Sequence, residues 1–247
     1  VEGLGLLVEE TALRLSAWLK ERVREAGVRG LVVGLSGGID SAVVAGLCKR
    51  ACPDSTLGVI MPCYSNPQDA IDAQLAARAF DVPVETVVLD EVFDLLVRKL
   101  TGKPYDPNKK DLPTANIKAR LRMVILYYYA NKLNALVAGT SNKSELTVGY
   151  FTKYGDGAAD LLPIGNLVKG QVKELARYLG VPQTIIDKPP SAGLWPEHQD
   201  EAEFGFSYYD LDRYILTGEA PDAVREAIAQ RIRKSQHKRC MPLLPPF

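Results

Sequence analysis

The apolar run Leu31-Val32-Val33-Gly34-Leu35 passes without a break into Ser36-Gly37-Gly38-Ile39-Asp40-Ser41, and this junction constrains the fold more than any other stretch. A short apolar run suits a strand buried on both faces of a parallel sheet. Gly37 and Gly38 permit a tight turn in which backbone N–H groups approach an anion closely. Residues 39–52 then read as a helix. The turn therefore sits at a helix N-terminus, where unpaired N–H donors and the helix dipole favour negative charge. Ser36 and Ser41 add hydroxyl donors. Asp40 is unfavourable beside phosphate unless a divalent cation stands between them, and magnesium held by one or two carboxylates plus phosphate oxygens meets that need. The spacing is neither Gly-x-x-x-x-Gly-Lys-Ser/Thr nor Gly-x-Gly-x-x-Gly. Without a ligand, the same residues would be a glycine-rich strand-to-helix turn.

The strand–helix alternation continues. Residues 6–26, with Leu6, Leu13 and Ala17 at helical spacing and Gly27 just after, read as an amphipathic helix. Strands at 57–61, 84–89 and 135–139 alternate with helices at 67–80, 115–133 and 171–179. This predicts an α/β fold, doubly wound, with a mostly parallel sheet and helices on both faces. Two irregular stretches, 101–113 and 188–203, carry several prolines and read as surface loops of the kind that close over ligands. No internal repeat or linker divides the chain, so residues 1–247 are expected to form one domain.

Lys plus Arg and Asp plus Glu each number 30, so no global positive field advertises nucleic-acid or membrane binding. No apolar run approaches the roughly 18 residues of a membrane span. The four cysteines, Cys48, Cys52, Cys63 and Cys240, form no Cys-x-x-Cys pair and are accompanied by only two histidines. They read as reduced structural thiols rather than a zinc site. With no signal peptide in view, a cytoplasmic location is expected.

Ser36-Gly37-Gly38-Ile39-Asp40-Ser41 after a strand resembles the pyrophosphate-binding loop of the ATP pyrophosphatase superfamily. Its members split ATP into AMP and pyrophosphate; they include the NAD, GMP, asparagine and argininosuccinate synthetases and the tRNA-modifying thiolases. Three later stretches resemble the ammonia-dependent NAD synthetases in particular. They are Asn116-Ile117-Lys118-Ala119-Arg120-Leu121-Arg122-Met123, then Gly139-Thr140-Ser141-Asn142-Lys143-Ser144-Glu145, and the run from Gly149 to Gly165 that contains Phe151-Thr152-Lys153-Tyr154-Gly155-Asp156. With Lys169, Ser191 and the His237-Lys238 pair, the resemblance covers nearly the whole chain from about residue 30.

The resemblance implies a Rossmann-like fold of the adenine nucleotide alpha hydrolase type. It implies amidation of deamido-NAD by ammonia through an acyl-adenylate, with release of AMP and pyrophosphate. ATP would be bound by Gly34, Leu35, Ser36, Gly37, Gly38, Ile39, Asp40 and Ser41, with Thr140, Lys169 and Ser191. Asp40 and Glu145 would ligate magnesium, and Asp40 and Lys169 would carry the catalytic part. Deamido-NAD would meet Arg120, Lys153, Asp160, His237 and Lys238. The helix bearing Tyr127-Tyr128-Tyr129 would help to form a homodimer, although these aromatics could equally be core. Taken alone, Glu145 reads as a solvated acid in a helix's first turn, Arg120 and Arg122 as solvated helix charges, and the basic run 233–239 as an exposed helix end.

The synthetase pattern leaves no room for the amidase domain of glutamine-dependent relatives, so free ammonia, or a partner's ammonia, is the expected nitrogen source. One departure is Pro196-Glu197-His198-Gln199-Asp200-Glu201, where the family often has Gly-Gln-Thr-Asp-Glu. The nearest rival is another adenylating ligase, such as the synthetase part of GMP synthetase, which would lack the Phe-Thr-Lys-Tyr-Gly-Asp segment. A tRNA thiolase would need reactive cysteines and a basic surface. A non-catalytic nucleotide-binding regulator would not need Asp40, Glu145 and Lys169 together.

Overall fold

The computed structural model describes residues 7–109, 111–191, 193 and 200–245. Leu6, Lys110, residues 192 and 194–199 of the second irregular stretch, and the last two residues lie outside them. The chain runs α1 (Val8–Glu25), β1 (Gly30–Gly34), α2 (Ile39–Ala51), β2 (Thr56–Ile60), α3 (Pro67–Ala79), β3 (Val84–Thr86), α4 (Asp90–Thr101), α5 (Leu112–Leu133), β4 (Ala135–Ala138) and α6 (Lys143–Val148). It continues with α7 (Lys169–Leu179), α8 (Gln183–Ile186), α9 (Asp200–Phe204), α10 (Tyr208–Thr217), α11 (Asp222–Ser235) and a 3-10 turn, Gln236–Lys238.

The strands form one parallel sheet in the order β3-β2-β1-β4. Strand β1 is central, with Leu31 opposite Thr56 on one side and Leu136 on the other. Successive strand side chains point to opposite faces. Leu31 and Val33 accordingly enter a core shared with Ala12 and Leu19 of α1, Val43 and Leu47 of α2 and Leu175 of α7. Val32 enters the opposite core with Phe93 of α4 and Ala130 of α5. The expected doubly wound architecture is present. The sequence order reverses direction between β1 and β4, the topological switch point at which open α/β sheets form ligand crevices. A third cluster joins Val148 of α6 to Phe204, Tyr208, Leu211 and Ile228.

Several boundaries and faces differ from the sequence reading. The buried side of α1 is Ala12, Ser16, Leu19 and Val23, whereas Leu13 and Ala17 point outward. The correct face is one position earlier in the heptad, and its serine masks the apolar stripe. Strand β3 stops at Thr86, opposite Ile60; two residues further along β2's course Pro62 has no N–H with which to continue the ladder, although Val87 N–H donates to Ile60 O and Leu89 N–H to Pro62 O. Residues 90–101, given no element by the sequence reading, form α4, which ends at Gly102 with φ of 72°. The first irregular stretch ends early. Asp111 accepts from Thr114 N–H as the N-cap of α5, and Pro113 fits its first turn, where no N–H is needed.

Candidate active site

Loop 34–41 crosses from β1 to α2 at the switch point. Gly37 has φ of +79°, and a Cβ built there would lie 2.3 Å from Asp69 O. Only glycine fits, because the left-handed backbone and the close approach of α3 both exclude a side chain. The loop is laced by its own hydroxyls: Ser36 N–H donates to Ser41 Oγ at 3.2 Å, Ser41 Oγ donates to Gly38 O at 2.9 Å, and Gly38 N–H donates to Ser36 Oγ at 3.3 Å. The serines therefore shape the loop as well as offering hydroxyls. Gly38 is the N-cap residue of α2 and provides no side-chain acceptor for that helix end.

Two other chain segments converge on Asp40. Lys169, the first residue of α7, forms an ion pair with its carboxylate, and Asn142 Nδ2 donates to Asp40 Oδ1 at 3.0 Å. Asn142 also caps α6. Its Oδ1 accepts from Glu145 N–H at 3.0 Å, while its own N–H donates to Glu145 Oε2 at 3.2 Å. This reciprocal capping box aims Glu145 back toward the loop, leaving Oε1 3.9 Å from Lys169 Nζ. Asp40, Asn142, Glu145 and Lys169 thus make one polar knot at the carboxyl ends of β1 and β4. Burial, and then the charge on Asp40, push the Glu145 carboxyl up to about 8. Burial works to lower Lys169, but Asp40 and Glu145 outweigh it and push the ammonium up to about 12. Tyr208 lays its ring 5.3 Å from the same ammonium.

Beside the knot opens a cavity of about 400 Å³. Its walls include Gly34, Leu35, Ser36, Asp40 and Ser41 from the loop, Thr140 and Glu145 after β4, and Lys238 from the C-terminal turn. Lys169 stands behind Asp40, 4% exposed. Asp40 and Glu145 both present carboxyl oxygens to the cavity, and a cation bound between them would favour the ionised form of Glu145 that burial and Asp40 otherwise oppose. Hard oxygen donors in that number fit magnesium, which takes one or two carboxylates and completes its shell with phosphate and water. Among the described residues no group of three or more His, Cys, Asp or Glu side chains is placed to hold a metal, which disfavours an all-protein cage.

A second group lies toward the C-terminus. Arg120 Nη2 donates to Lys153 O at 3.4 Å, and Lys153 Nζ donates to His237 O at 2.6 Å. Lys238 Nζ donates to Gly149 O and Phe151 O at 2.8 and 2.7 Å. The structure therefore brings Arg120, Lys153, His237 and Lys238 together, with Lys238 on the cavity wall. Asp160 stands apart: its carboxylate accepts from Val137 N–H at 2.8 Å and Tyr127 OH at 3.2 Å. Ser191 is exposed and accepts from Gly193 N–H at 3.1 Å.

Sequence reasoning missed three residues of the site, of which Arg122 and Asp156 line the cavity and Asn142 is buried behind it. Asn142 was legible as the first member of an Asn-x-x-Glu capping pattern. Arg122, taken as a solvated helix charge, is half-buried; it donates to Met61 O and Ser65 Oγ, both at 3.1 Å, and the desolvation of its guanidinium pulls it below the usual arginine range. Asp156 faces the cavity and accepts from Thr152 N–H at 2.9 Å, with the surrounding protein raising its carboxyl above the usual range. A single charge within a glycine-rich turn gives no signal of that placement.

Comparison with known proteins gives concordant results. A family model described as NAD synthase matches residues 11–242. An NH3-dependent NAD+ synthetase of Carboxydothermus hydrogenoformans is 54% identical over 238 residues, which is 96% of this chain and 97% of that protein. Among solved structures, an NMN synthetase from Francisella tularensis superposes with a TM-score of 0.92 at 37% identity, covering 98% of this chain and 100% of that one. An NH3-dependent NAD synthetase from Campylobacter jejuni, in complex with nitrate ion, gives a TM-score of 0.80 at 30% identity over 97% and 100% of the two chains.

Proposed function

The chain belongs to the NAD synthase family, a family of ligases, and on that premise we propose that it uses ATP to convert the nicotinate carboxylate of deamido-NAD into an amide with ammonia. The observation that carries this reading is the meeting of Asp40, Glu145 and Lys169 beside the loop 34–41 at the switch point of the sheet. That arrangement suits a triphosphate, and 400 Å³ of adjoining cavity leaves room for reacting groups.

A carboxylate is a poor electrophile, so it must first be activated. In the proposed sequence a carboxylate oxygen attacks the α-phosphorus of ATP, the bond to the β-phosphate oxygen breaks, and pyrophosphate leaves. Ammonia then adds to the acyl carbon of the acyl-adenylate, AMP departs, and one proton is released. The protein's task is to hold carboxylate and α-phosphate in line and to stabilise charge on the leaving groups. The N–H groups of the loop and the N-terminus of α2 cradle the phosphates. Lys169 holds Asp40 in place and adds positive charge behind it. Asp40 and Glu145 would hold magnesium, which supplies charge neutralisation on the phosphate oxygens. Thr140 and Ser191 would complete the ATP site. Arg120, Lys153, His237 and Lys238, with Asp160, would bind the dinucleotide. Lys153 and Lys238 already hold main-chain carbonyls, so they act first by ordering the segment from Gly149 to Lys153.

A second reading concerns substrate size. The higher TM-score against the NMN synthetase than against the NAD synthetase, 0.92 against 0.80, favours testing nicotinate mononucleotide as an alternative acid. The first half-reaction would be the same, but the adenylate half of the dinucleotide would be absent. We also propose a homodimer formed through α5, where Val124 and Tyr128 are exposed, as are Val92 and Leu95 on α4. Residues 1–247 would act as one synthetase domain.

The test supplies ATP, magnesium, ammonium and either deamido-NAD or nicotinate mononucleotide. The reading expects amide, AMP and pyrophosphate in equal amounts, with no product when glutamine replaces ammonium. Formation of ADP and orthophosphate would overturn it. A kcat/KM for the mononucleotide more than tenfold above that for the dinucleotide would move the assignment to the second reading.

A further inference from the structure

Lys169 opens helix α7, and the residue before it, Val168, has no side-chain acceptor for the helix's free N–H groups. An α-helix begins with donors that lack intrahelical partners, and a buried donor left unpaired is costly. Here α10 supplies the acceptor. Asp212, 6% exposed, accepts from Gly170 N–H at 2.7 Å through Oδ2. Its Oδ1 accepts from Ser144 Oγ at 2.5 Å, and Ser144 Oγ in turn accepts from Lys169 N–H at 3.0 Å. The Ser144 hydroxyl has a single proton, so donating it to Asp212 leaves its lone pairs facing the Lys169 amide. The first two amides of α7 are thus capped in trans by one carboxylate and one hydroxyl.

The same two side chains join the helices that carry Glu145 and Lys169. Ser144 neighbours Glu145 in the first turn of α6, and Asp212 reaches it from 68 residues away. The only side chain at position 212 that fits this role is a short carboxylate, because it must accept two bonds from opposite directions in a buried setting. Its negative charge also lies where the α7 dipole favours it. Neither residue lines the cavity.

We propose that Asp212, acting through Ser144, is a positioning residue for the reaction: it fixes the main chain at Lys169, and so the place of the ammonium between Asp40 and Glu145. This rests on the ATP-dependent reading given above for that ammonium. A residue that acts through Lys169 must lose its influence when Lys169 is gone, which purely structural support would not do.

The test is a double-mutant cycle on the full chain with Asp212→Asn, Lys169→Ala and the pair, read as magnesium-ATP affinity by calorimetry and as kcat and KM for amide formation. Asp212→Asn is expected to lower kcat at least tenfold in the Lys169 background and less than threefold in the Lys169→Ala background. Its effect on magnesium-ATP affinity is expected to shrink in the same way. Equal losses in both backgrounds, or no loss in either, would overturn the proposal. Ser144→Ala provides a milder break in the same chain should Asp212→Asn unfold; it is expected to lower kcat, again only while Lys169 is present, and a KM change alone would count against the proposal. Asp212→Glu should fail to restore kcat, because the longer side chain cannot meet both donors. If the wild-type protein amidates neither nicotinate nucleotide, the functional reading fails; the calorimetric cycle still decides whether Asp212 acts through Lys169.

Discussion

Lys169, at the start of α7, is ion-paired to Asp40, in the first turn of α2, across 129 residues of sequence. The pairing brings the two ends of the sheet's switch point together and leaves Glu145 within 3.9 Å of the same ammonium. Replacing Lys169 with alanine removes the cation and leaves two carboxylates facing each other. Steady-state kinetics at saturating magnesium-ATP should show kcat falling on the order of 10²–10³-fold, the loss typical of a preorganised electrostatic group. A change of less than threefold would mean that the ammonium serves only the fold.

Gly37→Ala tests the loop. The new methyl must adopt φ near +79° and meets Asp69 O at 2.3 Å. Strain of this kind costs on the order of 1–3 kcal/mol, and relieving it requires the loop to move away from α3. Urea unfolding should show a loss in that range, and calorimetry should show magnesium-ATP binding weakened more than tenfold. Normal affinity would show that the loop does not bind phosphate in its observed shape.

Much of this was readable before the structure. The parallel sheet and the loop at β1 follow from local patterns, namely apolar runs of strand length and glycines at a strand–helix junction. The capping pattern from Asn142 to Glu145 is equally local. What stayed hidden depends on distant pairing. Arg122 looked solvated because sequence spacing cannot reveal that Met61 O and Ser65 Oγ await it. The role of Asp212 is invisible because the helix end it caps lies 42 residues earlier. On α1, Ser16 in the buried stripe and Leu13 outside it reversed the apparent face. Asp160, which the resemblance joined to the dinucleotide site, is occupied by Val137 N–H and Tyr127 OH, a commitment no motif records.

Asp72 on α3 accepts from Lys188 Nζ at 2.5 Å and from Gln68 Nε2 at 2.8 Å. Burial works to raise its carboxyl, but the Lys188 and Gln68 bonds prevail and hold it below the ordinary 3.8. A depressed folded-state value contributes stability that is present above the unfolded value and lost as pH falls through the folded one. Asp72→Asn should therefore destabilise the protein at pH 7 by roughly 1–2 kcal/mol. The difference from wild type should begin to shrink as pH falls below about 4 and close only once pH passes below the depressed folded-state value, where both states are protonated. Denaturation curves at a series of pH values measure this, and a difference that persists at low pH would contradict the ion-pair account.

The exposed Val124 and Tyr128 on α5 give the proposed homodimer a test. Sedimentation should find the wild-type protein at twice its chain mass of 27.0 kDa. Val124→Asp combined with Tyr128→Glu should give monomers with unchanged far-ultraviolet dichroism. A monomeric wild-type protein would remove α5 as an interface.

The central claim is that the acid's carboxylate attacks the α-phosphorus of ATP. Deamido-NAD labelled with ¹⁸O in its nicotinate carboxylate tests this directly, by mass spectrometry of the products after one turnover with ATP, magnesium and ammonium. The account predicts one ¹⁸O in the phosphate of AMP, one retained in the amide and none in pyrophosphate. Label in pyrophosphate or orthophosphate, or unlabelled AMP, would contradict it.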